Sequence, residues 1–192
     1  MTVIYWVRHA PTHASSFVGH RDLPADLSDT SQIARLDALL PQNALVVSSD
    51  LSRSIETASA IQGTRSRLAH RAGLREFDFG DWDGLNYADV AQKWPDLSRQ
   101  YWEDPGDVAP PNGESWNSAA ARVTADIETV VAQNPRQDII AVAHFGAILT
   151  QVQTALNLNA FDTFAHKIDN LSVTELQVNN DRWTAIQINH NP

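Results

Sequence analysis

Apolar positions along this chain follow two rhythms. Residues 3–7 (Val-Ile-Tyr-Trp-Val) form an unbroken β-branched and aromatic run, the pattern of a strand buried on both faces, and residues 45–48 and 139–143 repeat it. Between these runs the spacing becomes helical: Ile33, Leu36, Leu39 and Leu40 within residues 31–40, then Leu51, Ile55, Ala58 and Ile61 within residues 51–62. A third helix is expected over residues 115–133 behind Ser115 as N-cap, and a fourth after His144, carrying Ile148, Val152 and Leu156. Strands alternating with helices predict an α/β fold, a three-layer sandwich with a mainly parallel central sheet and helices on both faces. Near the end, residues 172–178 and 183–188 flank Asn179-Asn180-Asp181 and predict a hairpin.

Residues 77–113 break the alternation. Gly80, Gly84, Pro95, Pro105, Gly106, Pro110, Pro111 and Gly113 punctuate a stretch that holds Trp82, Trp94 and Trp102. A linker would be polar, whereas three tryptophans are costly to leave in water, so the stretch reads as an inserted cap packed over a cleft. Core packing accounts for these rings before a flat apolar leaving group does. A chain of 192 residues fits one domain, here 1–192 with the cap insertion at about 77–113.

The 14 basic and 23 acidic residues leave a net charge of −9, which repels nucleic acid and anionic membrane over most of the surface, so neither is expected as a partner. Any anion must be bound by a local cluster. Only two of the basic residues are lysine (Lys93, Lys167), and the arginine fork suits bidentate contact with phosphate or carboxylate. The absence of cysteine excludes disulfides, thiolate catalysis and thiolate zinc sites. The N-terminal apolar run is too short for a signal peptide and has no basic region before it, and no stretch approaches the ~20 apolar residues that cross a bilayer, so a cytoplasmic protein is expected.

In open α/β sheets ligands bind beyond the carboxyl ends of the strands. The first run is followed by Arg8-His9, the second by Ser48-Ser49-Asp50-Leu51-Ser52-Arg53, the third by His144-Phe145-Gly146. Two imidazoles and two guanidinium groups, delivered to one sheet edge from distant segments, suit a transferring phosphoryl group, whose chemistry is largely positioning and charge neutralisation. One imidazole would attack phosphorus and the other donate to its oxygens. The segment Leu74-Arg75-Glu76-Phe77-Asp78-Phe79-Gly80 sets carboxylates beside aromatic residues, surroundings that can raise a carboxyl pKa for general acid work, and Glu76 and Asp78 are both candidates. His13, His20, His70, His166 and His190 fit no metal-ligand spacing.

These residues carry a family resemblance. Val7-Arg8-His9-Ala10-Pro11-Thr12 resembles the Arg-His-Gly signature of the histidine phosphatase superfamily, the phosphoglycerate mutase-like proteins. Gly19, Asp22, Pro24 and Leu27-Ser28, then residues 48–58, Leu74 to Gly84, Gly113-Glu114-Ser115 and Ala143-His144-Phe145-Gly146 resemble its later blocks, in family order. The resemblance implies that His9 is the phosphorylated nucleophile, Arg8 and Arg53 grip the phosphoryl oxygens, His144 donates to them, and Glu76 is the proton donor. Asn170-Leu171-Ser172 resembles a late family segment to which no catalytic role is assigned. Ala10 replaces the signature glycine; should that position need a positive φ, strain of about 1 kcal/mol or more is expected. Ser15 stands where an asparagine is often found and is assigned to substrate contact, and Thr30-Ser31 replaces a glycine at the first helix entry.

The chain resembles the short phosphatase branch, including α-ribazole phosphatase-like members. The resemblance implies metal-independent, cofactor-free hydrolysis of a small-molecule phosphate ester through phosphohistidine. The alternatives are phosphoryl transfer of the cofactor-dependent phosphoglycerate mutase type and a non-catalytic relative that only binds a phospho-ligand.

Overall fold

The computed structural model describes residues 1–179 and 182–192. Its five strands are β1 (Thr2–Arg8), β2 (Leu45–Ser48), β3 (Ile139–Ala143), β4 (Val173–Asn179) and β5 (Arg182–His190), ordered β2-β3-β1-β4-β5. The sheet is mixed rather than mainly parallel: β2 with β3 and β3 with β1 run parallel, while β1 with β4 and β4 with β5 run antiparallel. The cause is the terminal hairpin. Strands joined by a short turn run antiparallel, and this pair adds to the free side of β1, where Leu176 sits opposite Ile4. Of the expected turn Asn179-Asn180-Asp181, Asn179 ends β4, and residues 180 and 181 lie outside the described residues.

Seven α-helices accompany the strands among the described residues: α1 (Thr30–Leu39), α2 (Ser52–Ala60), α3 (Tyr87–Lys93), α4 (Pro95–Glu103), α5 (Trp116–Gln133), α6 (Phe145–Leu156) and α7 (Ala160–Thr163). Two of the expected helix starts follow from side-chain caps. The Asp29 carboxylate accepts from Gln32 N–H ahead of α1, and Ser115 accepts from Ser118 N–H ahead of α5. Strand alternation sorts the core into two layers. Ile4, Trp6, Ile139 and Ala141 pack with Ile127 of α5 and Ile148 of α6, whereas Val7, Ile140 and Val142 pack with Leu36 of α1 and Ala58 of α2. Each fully buried Leu or Ile contributes roughly 1.5–3 kcal/mol relative to an exposed one.

Within residues 77–113, a 3₁₀ turn at Gly80–Trp82 leads into α3 and α4. The segment builds a third cluster, in which Trp82, Val90 and Tyr101 pack with Phe17 from the loop after β1, and Trp94 and Trp102 lie against it. Trp82 is fully buried. Asp81 N–H donates to Pro111 C=O at 2.9 Å and Glu114 N–H to Asp78 C=O at 2.8 Å, tying together the two ends of the segment. Gly80 makes the approach possible: at φ +49°, a Cβ there would lie 2.2 Å from the Pro111 oxygen. Among the described residues no helix is long and apolar enough to cross a membrane.

Candidate active site

The parallel strands β1, β3 and β2 end side by side, and their exits build one polar chamber. His9 N–H donates to Ala143 C=O at 3.0 Å, joining the exit of β1 to that of β3. Arg8, His9, Ser15, Arg53 and Glu76 line a cavity of about 320 Å³, with Thr12, Ser16, Phe79, Tyr87 and Phe145 also in its walls. Five of the sequence-derived site residues thus share one chamber. His144 is fully buried behind it, its ring centroid 5.1 Å from that of His9. Asp78 is not in the wall; its Oδ1 accepts from Gly80 N–H at 2.9 Å in a turn.

The hydrogen bonds fix the state of each ring. His9 Nδ1 lies 2.6 Å from Ala10 C=O. A carbonyl only accepts, so Nδ1 carries the proton and Nε2 keeps a lone pair. Burial, then the charges of Arg53 and Arg8, push the His9 pKa down to about 3, against the bond to Ala10. His9 is therefore neutral at ordinary pH. Arg53 Nε–H donates to His144 Nδ1 at 3.2 Å, which leaves the His144 proton on Nε2, 2.9 Å from Ser49 Oγ and 3.2 Å from Ser54 Oγ. Burial first, then His9, Arg53 and Arg8, hold the His144 pKa well below 6.5.

Arg53 is the more constrained of the two cations in the chamber wall. Besides the bond to His144, its Nη1 donates to Arg21 C=O at 2.9 Å and its Nη2 to Gly19 C=O at 2.7 Å, so two of its five N–H groups remain. Arg8 Nη1 donates to Ile168 C=O at 2.6 Å, its guanidinium lies 5.4 Å from the centroid of the Phe145 ring, and its buried Nε has no partner among the described residues. A buried charged donor without an acceptor is costly, and an anion in the chamber would relieve it. Both guanidinium pKa values are lowered by burial, with Glu76 acting in the opposite sense.

Glu76 shows what the sequence left hidden. Its apolar neighbours are present, but Oε1 accepts from Phe77 N–H at 3.0 Å and Ala147 N–H at 3.2 Å, and Oε2 from Gly146 N–H at 3.1 Å. The carboxylate docks on the first turn of α6, where unpaired backbone donors and the helix dipole favour an acceptor. Gly146 makes room, since a Cβ there would lie 2.7 Å from Oε1. The backbone of residue 76 is held in turn by Arg122, whose Nη2 donates to Glu76 C=O at 3.1 Å while its fork meets the Glu114 carboxylate at 2.8 and 2.7 Å.

The expected strain at Ala10 is absent, because Ala10 is not among the positive-φ residues; it is buried and its N–H donates to Thr57 Oγ1 at 2.9 Å. Strain sits instead at Leu171, buried with φ 60°, an arrangement costing about 1–2 kcal/mol. Leu171 N–H donates to Arg8 C=O at 2.9 Å and Asn170 Nδ2 to His9 C=O at 2.7 Å, so this turn braces the β1 exit. Sequence reasoning gave no role to Asn170, Ser49, Ser54, Tyr87 or Arg122. The late family segment at residues 170–172 was the signal available for the first. Among the described residues no group of three or more His, Asp or Glu side chains is placed to hold a metal ion.

Comparison with known proteins gives a consistent result. The family profile of the histidine phosphatase superfamily (branch 1) matches residues 4–191. The glucosyl-3-phosphoglycerate phosphatase of Mycobacterium tuberculosis is 34% identical over 145 residues, 70% of this chain and 64% of that protein. A 2,3-bisphosphoglycerate-dependent phosphoglycerate mutase of Xanthobacter autotrophicus is 32% identical over 131 residues, 62% of this chain and 63% of that one. The chain thus spans less than two thirds of these curated relatives, and 37% of a longer bifunctional mycobacterial protein. Among solved structures, Bacillus stearothermophilus YhfR superposes with a TM-score of 0.90 at 21% identity, covering 99% of this chain and 98% of its own, a likeness of fold.

Proposed function

This chain belongs to the histidine phosphatase superfamily (branch 1), and from that membership we propose that it hydrolyses small-molecule phosphomonoesters through a phosphohistidine on His9. The observation that carries the reading is the His9 tautomer: Nδ1–H is spent on Ala10, which leaves the Nε2 lone pair beside two guanidinium groups in one chamber. The Nε2 lone pair attacks phosphorus and the ester P–O bond breaks, while the carboxyl proton of Glu76 passes to the leaving oxygen. Water then gives its proton to the Glu76 carboxylate, its oxygen attacks phosphorus, and the P–N bond breaks to restore neutral His9. Arg8 and Arg53 neutralise the phosphoryl oxygens, so a divalent cation is not required. Ser15, exposed at the chamber wall, contacts the substrate. Donation from His144 to the anion requires its Nε2–H to leave Ser49, an exchange that needs no change of charge.

The test is rapid-quench trapping with a radiolabelled ester that turns over, p-nitrophenyl phosphate serving to find assay conditions. An acid-labile label on His9, lost with His9→Ala, is expected, as is turnover in EDTA. Glu76→Gln should cost about 10²- to 10⁴-fold in kcat. A Glu76→Gln enzyme as fast as wild type removes the proton-donor assignment, and turnover abolished by EDTA removes metal independence. Failure to turn over any ester would favour the non-catalytic binder. The mutase reading, kept because a relative carries that activity, predicts phosphoglycerate interconversion with 2,3-bisphosphoglycerate present.

A further inference from the structure

A second, smaller cavity of about 80 Å³ adjoins the polar chamber. Its walls include Phe77, Tyr101, Trp102, Trp116 and Phe164, and Glu76 is its one charged group. Phe164 packs edgewise on Trp116 at 5.0 Å and on Trp102 at 5.6 Å, which holds the walls in place. Glu76, Phe79, Tyr87 and Phe145 line both cavities, whereas Arg8, His9 and Arg53 line only the first. A partition therefore separates an anion chamber from an aromatic annex, and the carboxylate stands in it.

The placement matters because of how phosphoryl transfer proceeds. The entering and leaving atoms lie roughly in line through phosphorus, so with His9 on one side the ester oxygen departs on the other. Glu76 must reach that oxygen to protonate it, and the carbon bonded to the oxygen then faces either the annex or the open mouth near Thr12 and Ser15. Water inside the annex finds few of the two to four polar partners that a buried water needs. An apolar group there would instead recover the dispersion contacts that an unfilled wall lacks.

We infer that the annex is the leaving-group subsite, and that it takes a compact apolar group bonded directly to the ester oxygen: the edge of an aromatic ring or a short alkyl chain. At about 80 Å³ it is near half the volume of the ~150 Å³ apolar cavity that holds benzene, so a ring enters by its edge unless Tyr87, 61% exposed at the partition, swings outward. The subsite separates this chain from proteins whose leaving group is a polyhydroxy sugar or a glycerate, because beyond Glu76 and the hydroxyls of Tyr87 and Tyr101 the aromatic wall offers their hydroxyls few partners.

The inference rests on the proton-donor role of Glu76, so its test uses ligands that need no turnover. Wild-type protein is titrated with phenylphosphonate and with methylphosphonate, followed by calorimetry and tryptophan fluorescence. Phenylphosphonate should bind about 10-fold tighter, the worth of burying part of a ring, and should alone perturb the fluorescence of Trp102 and Trp116. Phe164→Gln, which sets an amide in the annex, should cut the affinity ratio below about 3-fold. Trp102→Gln is the second variant should the first not fold. Equal affinities in the wild type overturn the inference, as does a phenyl preference that both variants retain. Failure of both phosphonates to bind overturns the anion chamber and the annex together. Phenyl-selective binding without turnover of any ester overturns the phosphatase reading and with it the leaving-group role, and leaves the annex only as a binding site for an apolar group.

Discussion

His9 and His144 form a buried, neutral pair flanked by two fixed cations, and that arrangement makes stability depend on pH. Both imidazole pKa values lie below the ordinary 6.5 in the folded state, His9 at about 3. Below pH 6.5 the unfolded chain therefore binds protons that the folded chain refuses. The pair's contribution to stability is fully present above about pH 6.5 and is lost as the pH falls toward 3, with a slope approaching 1.4 kcal/mol per pH unit for each ring. Urea denaturation at pH 7, 6, 5 and 4 should show this loss, and His144→Gln should remove one ring's share of the slope. A flat profile across that window would mean that the rings are not held neutral. The same value implies that His9 deprotonation sets no acidic limb of kcat/KM above about pH 4.

At the scale of elements, the first turn of α6 positions the candidate acid. Gly146→Ala places a methyl group 2.7 Å from Glu76 Oε1 and 3.0 Å from the Phe77 ring, so the carboxylate must shift. A displacement of about 1 Å costs on the order of 10²-fold, and the expected result is that loss in kcat with a melting temperature close to wild type. Unchanged turnover would show that Glu76 tolerates the move. This contact also marks where the sequence stopped being legible. The hydrophobic rhythms placed β1, β2, β3 and the major helices within a residue or two, and the strand-exit rule brought Arg8, His9 and Arg53 together, because both depend on local order. That Glu76 would dock on backbone N–H groups 70 residues away depends on a tertiary approach that no spacing encodes. The Arg122–Glu114 fork was invisible for the same reason. The sheet was misjudged because a hairpin signal says that two strands pair, not which strand receives them.

At the scale of the molecule, a net charge of −9 surrounds a chamber whose reacting side is cationic. Phosphate should bind there and stabilise the fold by about 2.7 kcal/mol at a hundredfold excess over Kd, and each kcal/mol raises Tm by roughly 2–4 °C for a chain of this length. Differential scanning calorimetry with phosphate should show the rise in wild type and its near-loss in Arg8→Ala. A rise that survives in Arg8→Ala would place the anion elsewhere. Rising ionic strength should weaken the effect less than it weakens a surface site, because the guanidinium groups are buried.

β1 precedes both of its sheet neighbours in the chain by a long way: β3 begins at Ile139 and β4 at Val173. Asn170, which holds the His9 carbonyl, lies 161 residues downstream of it. A nascent chain therefore carries Val-Ile-Tyr-Trp-Val with both edges bare until β3 and β4 have followed it, and pairing across such long sequence separations is slow. During that interval the strand is an adhesive surface for other chains, and newly made protein should depend on chaperones for its yield far more than the finished fold depends on them for its survival.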